Sequence, residues 1–213
     1  MKTRYKVLLF VLVGGGTAAG FLWTKSGPAI HQPGDIPLSE EERRLDEGEI
    51  MLTQLEPTGG EGVAVMAKAV IEAPVDKVWP TVRDCEHFKA FMPRVIESHR
   101  TPGEDGEFLC FAKIDMPWPV DDMEAETRSK TEELPGGVFR RSWTLSKGTF
   151  KHNNGSYEVA PFRGDTARTL LTYKVDVRPS VAIPDMVLKR AQSNTIPNIF
   201  VQIGERVGAP PRS

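Results

Sequence analysis

The sequence predicts an α+β fold: one antiparallel sheet, wet on one face and covered on the other by a long C-terminal helix. Three observations predict it. From Arg94 to Val177 apolar and polar residues alternate in run after run, divided by Pro/Gly turns. After Pro184 the apolar period changes from that of a strand to that of a helix. Ahead of both, Gly62 to Pro93 reads strand, helix, helix.

The elements follow in order. Lys2, Arg4 and Lys6 precede an apolar run from Val7 to Val13, small residues fill Gly14 to Gly20, and Phe21, Leu22 and Trp23 lead to Lys25. A basic start followed by an apolar core is an export signal whose basic side stays in the cytoplasm. Residues 26–213 are therefore expected in the periplasm or cell envelope. Two readings of residues 1–25 stay open: a signal peptide cleaved after Ala18 or Ala19, or a membrane anchor spanning residues 7–23, at the short end of the roughly 17 to 25 residues that a span needs. The segment carries four bases, Lys2, Arg4, Lys6 and Lys25, and no acid; without it 23 bases face 29 acids, a net charge of −6. A mildly acidic domain is not drawn to anionic membrane surfaces, so a tether through an uncleaved N-terminal segment is the expected route to a membrane.

Residues 26–47 read as a Pro/Gly-rich linker with one short helix, Glu40 to Asp46, announced by the Ser39/Glu42 capping-box pair. Glu49 to Leu55 and Gly62 to Ile71 form a predicted hairpin, the second strand alternating Val63, Val65, Ala67, Ala69 and Ile71 on one face. Pro74 opens a helix over Val75 to Val82, and Glu86 to Phe91 makes a second one ended by Pro93. In the strands that follow, the apolar face collects Phe108, Cys110, Ala112, Ile114 and Met116, then Met123, Ala125 and Thr127, then Phe139, Arg141, Trp143 and Leu145. It continues through Tyr157, Val159, Leu171, Tyr173, Val175 and Val177. Ile196, Ile199, Phe200, Ile203 and Val207 share one face of the final helix, expected from Asp185 to Val207 with a kink at Pro197 and a length of about 34 Å. Residues 208–213 are a tail.

Four pieces in this order resemble the START-like superfamily, which includes the polyketide cyclase/dehydrase, SRPBCC and lipid-transfer proteins. They are Leu45 to Ile50, Gly62 to Pro93, the WTLSKGTFKHNNGSYEVAPF stretch from Trp143 to Phe162, and YKVDVRPSVAIP from Tyr173 to Pro184. Met116-Pro117-Trp118-Pro119-Val120 is similar to a Trp-Pro-Val segment of lipid-transfer START domains, but the Arg-Asp that often follows is Asp121-Asp122-Met123 here. The resemblance implies a helix-grip fold over residues 48–207, a curved sheet wrapped around the last helix with an apolar cavity between them. It also implies a bound hydrophobic small molecule, such as a lipid, quinone or polyketide-like ring.

The expected ligand-binding residues are Phe108, Cys110, Ile114, Met116, Trp118, Phe139, Arg141, Trp143, Tyr157, Tyr173, Phe200 and Ile203, any one of which a packed core would explain equally well. The charged one, Arg141, is expected to point inward and meet the ligand's polar end; the alternatives are a strand bulge near Gly136-Gly137 that turns Arg140 inward instead, or a place for Arg141 at the cavity rim, paired with a surface acid. A cyclase or dehydratase on the same fold is the competing function. It needs titratable groups inside, and the inward list holds no His, Asp or Glu. No cofactor is expected, and the single histidines and absent Cys/His spacing speak against a metal. Balanced charge, −2 overall, argues against nucleic acid, and a monomer is expected. Cys85 and Cys110 could be bridged in an oxidising compartment, but sequence alone favours two separate buried thiols.

Overall fold

The capping box forms as expected: Glu42 N–H donates to Ser39 Oγ at 3.2 Å and Ser39 N–H to Glu42 Oε2 at 2.8 Å, starting α1 (Glu40–Asp46). The computed structural model describes residues 37–209, so the export segment 1–25, residues 26–36 of the linker and residues 210–213 of the tail lie outside the described residues. β1 (Met51–Leu55) begins at Met51 rather than Glu49 and pairs with β2 (Val63–Ile71) in the expected hairpin. α2 (Val75–Arg83), a single turn at Cys85–His87 and α3 (Phe88–Phe91) then cross from one side of the molecule to the other.

β3 (Val95–Pro102), β4 (Phe108–Ile114), β5 (Met123–Leu134), β6 (Val138–Gly148), β7 (Phe150–Phe162) and β8 (Asp165–Pro179) complete one open, curved antiparallel sheet. Its order is β1-β2-β8-β7-β6-β5-β4-β3. The final helix is not the single kinked rod that the sequence suggests. α4 (Asp185–Arg190) passes through a π-helical turn, Ala191–Thr195, into α5 (Ile196–Arg206). The cause is Pro197: it has no amide hydrogen for the carbonyl four residues back and its ring crowds that carbonyl, so a wider turn takes up the mismatch just before it.

α5 buries Ile196, Ile199, Phe200 and Ile203 in one core with Val78, Trp79 and Val82 of α2 and with Val65, Ala67 and Leu171 of the sheet. Thr169 Oγ1, fully buried in β8, donates to the Ala73 carbonyl at 2.7 Å and fixes the entry to α2. The cysteines correct the sequence reading: Cys85 and Cys110 are joined in a disulfide with Cα atoms 5.9 Å apart. Sequence separation carries no information on that distance, which the crossover of α2 sets. The bridge pins the α2–α3 crossover to β4.

The β6–β7 hairpin has an interrupted ladder. Backbone pairing runs from Phe139↔Val159 to Trp143↔Gly155 and stops, although both strands continue to a turn at Thr149. Beyond Trp143, β6 stays paired with β5, and the first residues of β7 stay paired with β8. Two asparagine side chains bridge the gap: Leu145 N–H donates to Asn154 Oδ1 at 3.4 Å, and Trp143 Nε1–H to Asn153 Oδ1 at 3.1 Å.

Candidate functional site

Strand register builds the site in rows. Tyr157 stands opposite Arg141 of β6 and Tyr173 of β8, and Tyr173 stands opposite Ala67 of β2, so these four side chains share one row across the covered face. In the next row Trp143 lies opposite Gly155. A Cβ at Gly155 would collide with the Trp143 indole and the Lys174 carbonyl, so only glycine lets the ring lie down across β7. Trp143 thereby comes within 5.5 Å of the Tyr157 ring and 6.1 Å of the Tyr173 ring, and the two tyrosines within 4.9 Å of each other.

These rows border a cavity of about 320 Å³ between sheet and helices, which continues past Val175 and Val177 to Phe150 and Pro179 at the hairpin end. Ile196 of α5 and Phe88 of α3 cover it. Six of the expected ligand-binding residues line this cavity: Cys110, Ile114, Arg141, Trp143, Tyr157 and Tyr173. The other six fall elsewhere. Phe108 is buried beside Arg141, Phe139 stacks on Trp79 with ring centroids 5.4 Å apart, and Phe200 and Ile203 pack in the core. Met116 lines a separate recess with Arg94, Val187 and Thr195. Trp118 is 92 % exposed, in the loop between β4 and β5 where Pro117 and Pro119 flank it. The remaining lining residues were not among the expected ligand contacts: Ala112, Ala125, Thr127, Val175 and Val177 stand on the predicted inner face and Pro179 ends β8, and sequence reasoning also left out Val63, Phe88, Phe150, Asn153 and Ile196. Val63 belongs to the alternating run of β2 and Ile196 to the apolar face of α5; Phe88, Phe150 and Asn153 sit in a one-turn helix and beside a turn, where no period marks a face.

Arg141 points inward as expected and is only 2 % exposed, whereas its neighbour Arg140 lies on the opposite face and pairs with Glu158 at 2.6 Å. No bulge near Gly136-Gly137 shifts the register, which runs unbroken from Leu134↔Val138 to Thr131↔Arg141. The Arg141 guanidinium donates to the Val82 carbonyl at 3.1 Å and to Ser129 Oγ at 3.2 Å, and its Nε has no partner. Around it stand the rings of Phe88, Phe108 and Trp143, at 5.2, 5.2 and 5.7 Å from the guanidinium carbon. Among the described residues it makes no ion pair. Its pKa falls to about 10, chiefly through desolvation; the Tyr157 phenol opposes the fall, the Arg100 cation adds to it and the Tyr173 phenol opposes it.

The folded value thus lies below the unfolded one, so the buried cation opposes folding at every pH below about 10 and the penalty is relieved as the pH rises beyond. It amounts to roughly 3 kcal/mol at neutral pH. The two hydrogen bonds to neutral oxygens hold the guanidinium in place but bring no opposite charge to it. Burial pushes both phenols well above their ordinary pKa. The site is therefore a long apolar slot with one permanent cation and two permanently protonated hydroxyls at one end. Among the described residues no group of histidine, cysteine or carboxylate side chains is placed to hold a metal.

Comparisons with known proteins agree with this geometry. A search of curated proteins finds no match. Among solved structures, a STAR-related lipid transfer protein from Xanthomonas axonopodis is similar with a TM-score of 0.65 and 19 % identity, over 76 % of this chain and 94 % of that one. Human StAR-related lipid transfer protein 5 gives 0.62 and 11 %, covering 79 % and 90 %, and an aromatase/cyclase from Streptomyces gives 0.51 and 15 %, covering 68 % and 91 %. At such identities the likeness is one of fold. The family model for polyketide cyclase / dehydrase and lipid transport matches residues 71–199, more than half of the 213 residues, and the chain belongs to that family.

Proposed function

We propose that the protein binds or carries a hydrophobic small molecule in this cavity without performing chemistry on it. One observation carries the reading: an apolar slot whose lining, among the described residues, holds no histidine, carboxylate or lysine. The titratable groups that do line it are poor proton carriers near neutrality. A general acid or base works best with a pKa near the operating pH, and here the phenols are shifted up while Arg141 stays at about 10. Cys110 is tied in the disulfide and offers no thiolate. The test is to purify the protein, extract it with organic solvent and identify copurified apolar molecules by mass spectrometry. A stoichiometric apolar compound is expected. Release of a chemically altered product from an added candidate ligand would instead establish the cyclase or dehydratase reading.

The domain is placed by the same proposal outside the cytoplasmic membrane. The disulfide supports this, since such bonds persist in oxidising compartments. Among the described residues no helix is long and apolar enough to cross a membrane; the anchor, in this proposal, is residues 7–23 if that segment is retained. A reporter that is active only in the periplasm, fused after Ser213, should give signal; activity confined to a cytoplasmic reporter would refute the placement.

A further inference from the structure

We propose that the ligand is a single-chain amphiphile with a carboxylate head, seated on Arg141 with its chain running along the strands toward Phe150. The inference rests on the cavity-binding reading above and deepens it. A guanidinium carries five N–H donors, and Arg141 spends two of them, both on neutral oxygens. Its Nε is buried and orphaned, and among the described residues no carboxylate lines the cavity. The three surrounding rings stabilise a cation through their faces but leave its charge uncompensated. A buried charge calls for a partner of opposite sign, and the planar fork of arginine matches a carboxylate.

Charge count narrows the head. One cation is neutralised by one monoanion, whereas a phosphomonoester near −2 would leave excess charge in an apolar slot. Tyr157 and Tyr173, in the same row as Arg141, are kept protonated by burial and so remain donors to an anion. Shape narrows the tail. From Tyr173 to Pro179 the wall extends six residues along β8, about 20 Å at strand rise. A volume of about 320 Å³ spread along that length is a slot for one chain. Past the row of Arg141 its sheet wall is mostly Val, Ala, Ile and aromatic side chains, which suit an alkyl chain.

Titration calorimetry on the full chain, washed free of bound lipid, with dodecanoate, dodecanol and dodecyl phosphate at pH 8 tests this. Dodecanoate should bind at least tenfold more tightly than dodecanol and more tightly than dodecyl phosphate. In R141M the advantage over dodecanol should shrink to within about twofold, and in R140M, which alters only the outer face, it should persist. Equal binding of acid and alcohol by the unmodified protein overturns the proposal, and so does retention of the advantage in R141M. Tighter binding of dodecyl phosphate replaces the carboxylate by a phosphate head and overturns it too. If none of the three binds, the single-chain proposal is overturned, while the cavity-binding reading stands or falls separately on whether solvent extraction yields a copurified apolar compound. The acid-against-alcohol comparison decides the question without any variant, so a misfolded R141M would not shelter the proposal.

Discussion

Phe200→Ala should lower the unfolding free energy by about 3–5 kcal/mol and the melting temperature by on the order of 10 °C, measured by thermal unfolding. Phe200 is 2 % exposed and fills the core where α5 meets α2 and the sheet. Truncation removes a ring's worth of buried apolar surface and leaves a void that close-packed neighbours cannot fill. The residue does not line the ligand cavity, so molecules that remain folded should keep their binding capacity. A melting temperature within about 3 °C of the parent would mean that α5 does not hold the core together.

The second large effect is expected from the disulfide. Replacing Cys85 and Cys110 together by alanine should cost about 3.5 kcal/mol, the chain-entropy value for cross-linking residues 25 apart. Both sulfurs are buried, so the measurement is the denaturant midpoint with and without reductant, where the unfolded chain is open to reduction. Reductant should lower the midpoint of the parent and leave that of the double variant unchanged. Equal midpoints for the parent in both conditions would show that the bridge contributes nothing.

Much of the fold could be read from the chain because each layer carries its own period. Along β6 the alternation Phe139, Arg141, Trp143 set one face, and it correctly turned Arg141 inward and Arg140 outward. On α5 the spacing of Ile196, Ile199, Phe200 and Ile203 set the buried stripe. The site was less legible, because Phe200 and Tyr173 obey the same rule and differ only in whether helix or empty space faces them. That depends on how far α5 stands from the sheet, which no local pattern encodes. Phe150 and Asn153 escaped notice because the ladder ends before them. Trp118 was drawn into the site by resemblance to a motif, but the loop that carries it stays in solvent. Pro197 marked the break in the final helix, but the sequence did not show that the mismatch would be taken up in a π turn ahead of the proline and not in a kink at it.

The gap in the β6–β7 ladder separates two properties that a closed cavity would bind together. Trp143, Phe150 and Asn153, which flank the gap, also line the cavity. A molecule slipping out between Leu145 and Asn154 would break two asparagine side-chain hydrogen bonds and no rung of backbone pairing. The neighbouring β5–β6 and β7–β8 ladders would stay zipped. For a ligand leaving by that route, residence time and resistance to unfolding would rest on different bonds, so N153A and N154A are expected to change the first and leave the second near the parent's.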